Sequence, residues 1–255
     1  MFWKEKVVLI TGASSGIGQA LALKLGERGA RVGLIARRSQ PLDEIVSKLE
    51  AEAGEAIALP GDVRDAAAVR AAAERLRSQF GTIDILIANA GVGGTTLADS
   101  LAPDEVARVI EINVMGAINS VAAVVPEMVQ QGQGQLVAIS SLSAYRGLPK
   151  SAAYCASKAA LSSFFESLRI DLAGKGIDVT IIHPGFIKTP LTAGRKAKLP
   201  FLMELDYAVE KIIRAIEKKR TSHAFPWQLA SVVRTTMILP DVIYDWIARR
   251  NSFRE

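Results

Sequence analysis

The chain has 255 residues, 49% hydrophobic and 22% charged, so it has ample apolar material for a core and lacks the composition of a disordered chain. Its formal charge of +5 comes from basic residues scattered among acidic ones, which argues against nucleic acid as a partner. Cys155 is the single cysteine, so no disulfide can form within the chain, as fits a reducing compartment.

Met1 to Lys6 runs straight into Val7-Val8-Leu9-Ile10, without the apolar core and small-residue cleavage site of a signal peptide. No uninterrupted apolar run approaches the ~20 residues of a bilayer span. A cytoplasmic protein is the expectation.

Short apolar runs alternate with longer helical patterns. Val7-Val8-Leu9-Ile10 reads as a buried strand and 17–28 as a helix. A strand follows over 31–36, then a helix over 41–53 with Pro41 in its first turn. Next come strand 56–59, helix 66–80 ending near Gly81, and strand 83–88. Helix 104–131, strand 135–140, helix 153–174 and strand 178–183 continue the series. A loop or broken helix covers 191–205, and 206–219 is helical. The strands are continuous apolar runs rather than alternating ones, the mark of strands buried on both faces. The expected fold is therefore α/β: one doubly wound domain over 1–255, with a parallel seven-stranded sheet and helices on both faces.

The first strand is followed by Thr11-Gly12-Ala13-Ser14-Ser15-Gly16-Ile17-Gly18. Glycines between a strand and a helix allow a tight turn and let a pyrophosphate approach the free N–H groups of the helix start. A plain tight βα loop is the bland alternative. No Gly-Lys-Ser/Thr ends the turn, so it is not a P-loop.

This Gly-x-x-x-Gly-x-Gly spacing resembles that of the short-chain dehydrogenase/reductase family, a Rossmann-type fold. Where such sites hold NAD, an acidic residue ends the second strand; an arginine accommodates the extra phosphate of NADP. Here that strand ends Ile35-Ala36-Arg37-Arg38, with no carboxylate and two guanidiniums. Ser14 can add a hydroxyl to the same phosphate. NADP(H) is the expected cofactor, with Gly12, Ser14, Ser15, Gly16, Ile17, Gly18, Arg37 and Arg38 around it. The resemblance puts Asp62 and Val63 against adenine, although Asp62 also suits an N-cap of the next helix. It implies that Asn89, Ala90 and Gly91 floor the adenosine site and tie the sheet together.

The most specific signal is Tyr154-Cys155-Ala156-Ser157-Lys158. Tyr154 and Lys158 lie one helical turn apart on one face. Alone such a pair means little. Ser141, thirteen residues before Tyr154 at a strand end, and Asn113 on the long helix complete a set that resembles the family's catalytic residues. Carbonyl reduction needs a hydride on carbon and a proton on oxygen. A phenol of pKa about 10 stores a proton, and a neighbouring ammonium favours its phenolate. The resemblance implies that Lys158 also bonds the nicotinamide ribose, that Ser141 holds the substrate oxygen, and that Asn113 holds a water linking Lys158 to solvent. Ser140 competes with Ser141, but successive strand residues face opposite ways, so only one is expected to line the site. Cys155 reads as a packed thiol and His183 as structural. In the family a turn matching Pro184-Gly185, with positions matching Ile187 and Thr189, meets the nicotinamide carboxamide. No metal enters this set.

The chain lacks the glycine-rich ending of relatives such as the acyl-carrier-protein ketoreductases, so a tetramer of that kind is not expected and a homodimer is. Residues 190–205 are the expected substrate loop, and 227–255 an apolar C-terminal extension. Within it Val242, Ile243, Trp246 and Ile247 form one apolar stripe on a helix opened by Pro240 and Asp241 and closed by Arg249 and Arg250. Packing on its own domain or a dimer mate, a lid over an apolar pocket, and docking on a membrane surface all remain open for it. The expected function is an NADP(H)-dependent carbonyl reductase or alcohol dehydrogenase with a small, apolar substrate. The alternatives are a catalytically silent NADP(H)-binding regulator or redox sensor, and an isomerase or dehydratase.

Overall fold

The computed structural model describes residues 2–193 and 199–250. Seven strands form one sheet: β1 (Val7–Thr11), β2 (Arg31–Ala36), β3 (Glu55–Pro60), β4 (Ile85–Ala88), β5 (Gly134–Ile139), β6 (Ile177–Pro184) and β7 (Ser222–Phe225). Their spatial order is β3-β2-β1-β4-β5-β6-β7, and every pair is parallel. Within β1 alternate residues serve two cores, Val8 and Ile10 on one face and Val7 and Leu9 on the other. This is why the strands read as unbroken apolar runs.

Helices α1 (Gly16–Gly26), α2 (Gln40–Ala51) and α7 (Leu205–Glu217) cover the first face through Leu21, Leu25, Leu42, Ile45, Ile212 and Ile213. The second face is covered by α3 (Ala66–Phe80), α5 (Gly116–Gln131) and α6 (Ala152–Asp171), with Leu76, Val121, Val124, Leu161 and Phe165 in its core. Helix α4 (Pro103–Ile110) enters α5 through a π-helical turn, Glu111–Met115. The run Pro103–Gln131 is long and apolar enough to cross a membrane by composition, but Val121, Val124 and Met128 bury it against the sheet.

The sequence-based elements match with ends displaced by a few residues, the usual latitude where helix ends fray. The short β7 escapes the apolar-run criterion because only Phe225 in it is buried. Asp62 is not the N-cap of α3. Asp65 is, accepting from the Ala67 and Ala68 N–H groups at 2.9 and 3.2 Å.

Two further helices, α8 (Trp227–Thr236) and α9 (Asp241–Arg250), form a C-terminal arm. The expected stripe on α9 does not pack as a unit. Val242 is 82% and Trp246 59% exposed, whereas Tyr244, Ile247 and Ala248 turn inward. The cause is a contact far away in sequence. Arg146 Nη2 donates to Asp241 Oδ1 at 2.7 Å, and its guanidinium lies 4.2 Å from the Tyr244 ring centroid, which fixes the rotation of α9. Residues 251–255 of the expected extension and 194–198 of the expected substrate loop lie outside the described residues.

Phe165 is fully buried and anchors α6 to the sheet. Phe165→Ala should cost about 3–5 kcal/mol, read as a lowered urea midpoint, because the cavity left behind cannot fully collapse.

Candidate active site

The ends of the parallel strands open on one cavity of about 670 Å³. Its first part is the turn after β1. Gly12 and Gly16 have φ of +67° and +57°, the left-handed region that glycine enters without strain. Gly18 serves packing instead: a Cβ there would stand 2.4 Å from Gly12 O and 2.5 Å from Asn89 Nδ2. It does not line the cavity, whereas Gly12, Ser14, Ser15, Gly16 and Ile17 do. The start of α1 carries no side-chain cap, so its leading residues present bare backbone there.

Thr11, which the sequence reading passed over, stitches this turn to β4. Its hydroxyl oxygen accepts from Asn89 N–H at 3.1 Å and Ala90 N–H at 3.0 Å. Asn89 Nδ2 answers by donating to Thr11 O at 2.9 Å and Gly12 O at 3.3 Å. Ala90 and Gly91 border the same cavity, and a Cβ on Gly91 would approach Asn113 Oδ1 and Lys158 Nζ, each at 3.4 Å.

At the end of β2, Arg37 and Arg38 are exposed on the cavity rim, and Arg38 Nη2 donates to Ser14 Oγ at 3.3 Å. Asp62 and Val63 follow β3. The Arg64 guanidinium bonds the Asp62 carboxylate at 2.7 Å and holds it below the usual carboxylate range.

Ser141, Tyr154 and Lys158 meet along the cavity wall. Ser141 follows β5 and caps a short 3-10 turn, Leu142–Ala144, its Oγ accepting from Ser143 N–H at 3.1 Å. Ser140 also borders the cavity, contrary to strict alternation, because β5 ends one residue earlier. Its hydroxyl nevertheless faces α6, with Lys158 O at 3.2 Å and Ser162 Oγ at 2.7 Å. Tyr154 and Lys158 sit one turn apart on α6, with Nζ 5.9 Å from the Tyr154 ring centroid. Nζ donates to Ile139 O at 2.8 Å, and burial lowers its pKa to about 8.

Asn113 lies behind this wall, fully buried in the π-helical turn and not on the cavity surface. Its amide donates to Val92 O at 3.0 Å and Ser157 Oγ at 2.9 Å, and its oxygen accepts from Val92 N–H at 2.8 Å. It thereby clamps the segment after β4 to α6.

Pro184 at the end of β6, and Gly185, Ile187 and Thr189 beyond it, line the cavity. Ile187 pairs with Met203, and the Lys188 and Met203 N–H groups close the base of the loop between them, both at 2.9 Å. Of that loop Pro190, Leu191, Thr192, Pro200 and Phe201 reach the cavity. His183 is buried, its Nδ1 3.3 Å from Ser141 O and its ring 4.9 Å from that of Tyr145; burial lowers its pKa. Cys155 is buried. The sequence reading also missed Arg146 and the inward turn of Tyr244 and Ala248, although it named Ile247 and left a lid over an apolar pocket open for the arm. No local motif announces them.

This arrangement can cradle a dinucleotide over the strand ends and bring a phenol, a hydroxyl and a buried ammonium to one reacting centre. The sequence model of the short chain dehydrogenases matches residues 6–200, and the chain belongs to this family of oxidoreductases. An uncharacterized oxidoreductase of Myxococcus xanthus is 44% identical over 245 residues, 96% of this chain and 97% of that one. Another, from Listeria monocytogenes, is 38% identical over 190 residues, 74% of this chain and 77% of that one. Among solved structures, a short-chain dehydrogenase/reductase of Burkholderia phymatum, in complex with NAD, superposes with a TM-score of 0.84 at 28% identity, covering 92% of this chain and 93% of that one.

Burial sets a pH dependence. With Lys158 near 8 in the fold and near 10.5 when unfolded, the unfolded chain holds more protons between those values, so stability rises with pH there. The penalty is fully present below pH 8. Against Lys158→Met, the ligand-free parent should gain up to about 3 kcal/mol across that window. Urea midpoints of both proteins at several pH values give the comparison; parallel curves would show that Lys158 is not desolvated.

Proposed function

We propose that this enzyme moves a hydride between NADP(H) and a carbonyl or alcohol, with Tyr154 handling the proton. The observation that supports this best is the single cavity, which joins the glycine turn and the two arginines to Ser141, Tyr154 and Lys158.

The cradle fits a dinucleotide. The left-handed glycines keep side chains out of it, and the start of α1 offers N–H groups to a pyrophosphate. The Burkholderia relative holds NAD, which supports a nicotinamide dinucleotide here. The choice of NADP(H) rests on Arg37 and Arg38 and on the absence of a carboxylate at Ala36. Guanidinium forks suit a phosphate monoester, and Ser14 lies beside Arg38. Asp62 stands at the same rim, but Arg64 is its salt-bridge partner.

When bound, NADPH supplies the hydride. Ser141 accepts from the Ser143 N–H, which leaves its O–H to donate to the substrate oxygen. Tyr154 gives its proton to that oxygen as charge builds on it, and takes it back in the oxidation direction. The Lys158 ammonium, costly to bury, favours the phenolate that remains. Lys158 would also hold the nicotinamide ribose of a bound cofactor. Asn113 fixes the backbone behind Lys158, and a water held there would return the proton from solvent.

NADPH absorbance over a panel of aldehydes and ketones tests the central claim. Tyr154→Phe should lose about 10²–10⁴ in kcat while keeping NADPH affinity. Equal turnover by the two proteins would remove Tyr154 from the mechanism.

For the cofactor, Arg37→Asp with Arg38→Asp should weaken NADPH binding by about tenfold or more and leave NADH affinity level or improved. If calorimetric titrations show both affinities falling together, no phosphate preference resides in these arginines.

A further inference from the structure

We infer that the inner face of the C-terminal arm is the specificity wall of this site, and that it takes a carbonyl compound carrying an extended aliphatic substituent. The inference rests on the oxidoreductase reading above and names its substrate class.

The arm lies outside the part of the chain that the family model matches, which ends at residue 200. It nonetheless borders the same cavity as Tyr154, through Leu229, Val232 and Val233 of α8 and Ile247 and Ala248 of α9, with Phe201 of the preceding loop also on the cavity surface. These side chains are all apolar. The polar groups among them are engaged with the protein itself. Thr236 Oγ1 donates to Val233 O at 2.6 Å. The Tyr244 hydroxyl donates to Gly147 O. Arg146 donates to Thr236 O at 2.8 Å and to Asp241 at 2.7 Å while its guanidinium covers the Tyr244 ring.

Against the apolar side chains themselves a hydroxyl or charge on the substrate would be desolvated without a partner, which is disfavoured. A methylene meets no such penalty. Each one buried should raise kcat/KM by about fourfold until the wall is filled.

Arg146 acts as a positioning residue. It lies between Ser141 and Tyr154 in the chain, and its bonds reach α9 and the end of α8. The wall is thus fastened to the segment that carries the reacting groups. Substituent length and chemistry are read at a defined distance from the carbonyl.

The test uses the full chain with NADPH, unbranched aldehydes of increasing length, and their ω-hydroxy counterparts. The parent should favour the ten-carbon over the four-carbon aldehyde by at least tenfold in kcat/KM, and reject the ω-hydroxy forms. Ala248→Trp, which fills the wall, should cut that length ratio at least tenfold. Val232→Asp, at a half-exposed rim position that tolerates a charge, should do the same if the tryptophan variant does not fold. Arg146→Ala should lower the ratio through KM rather than kcat. A flat length profile, acceptance of the ω-hydroxy forms, or variants that keep the parent's ratio would each overturn the wall. Calorimetric titration of n-decanol against n-butanol, with NADP+ present, separates this inference from the reading beneath it. Tight decanol binding that Ala248→Trp abolishes, without any aldehyde turnover, keeps the wall and removes the hydride-transfer reading. Turnover without chain-length discrimination does the opposite.

Discussion

The stitch between β1 and β4 is the constraint on which the rest of the site depends. These strands are neighbours in space but far apart in sequence, and the order of the sheet reverses between them. Helix α1 leaves β1 toward one face, and the chain after β4 returns through α5 on the other. The diverging connections leave a crevice over the strand ends, where α/β sheets of this kind take their ligands. Thr11 and Asn89 close the seam beneath that crevice with four side-chain-to-backbone hydrogen bonds, which hold its floor in place. Gly12, Arg37, Asp62, Asn89, Ser141 and Gly185 each follow a different strand, and all six reach one cavity.

Against that floor the protein keeps a lysine where a cation is expensive. Lys158 is 4% exposed, and burial alone accounts for its lowered pKa. The surroundings resist its displacement. Ile139 O accepts a hydrogen bond from its Nζ, and Asn113 ties Ser157, its neighbour on α6, to Val92. Phe165 holds the same helix to the sheet two turns further on. Local stability is thus given up at one position and recovered along the helix that carries it, a common arrangement where a charged group must meet a reacting centre.

The C-terminal arm follows a different logic. None of the residues of α9 is buried, yet its inward face completes the cavity while its outward face presents Val242 and Trp246, with Arg250 stacked on the latter at 3.8 Å. The Myxococcus relative covers 96% of this chain, so its match runs into the arm that the family model leaves out. The frame common to the family carries Ser141, Tyr154 and Lys158, and the appended arm adds Leu229, Val232, Val233, Ile247 and Ala248 to the same cavity.

Much of this was legible in the sequence. The parallel sheet shows in unbroken runs such as Val7-Val8-Leu9-Ile10, because a strand covered on both faces has no polar side to display. The glycine turn shows because Gly12 and Gly16 need backbone angles that other residues avoid, and Tyr154 and Lys158 share a face by helical period alone. These features depend on residues at most a few positions apart. What the sequence could not carry depends on contacts made through space. β7 is a strand because β6 pairs with it, not because its own residues are apolar. Asp62 suits a cap by composition, but α3 begins at Ala66, so Asp65 caps it and Asp62 pairs with Arg64 instead. The stripe on α9 was visible, but its direction was not. Arg146 sets that direction from some ninety residues away, and no local periodicity records which face of an amphipathic helix a distant side chain will hold.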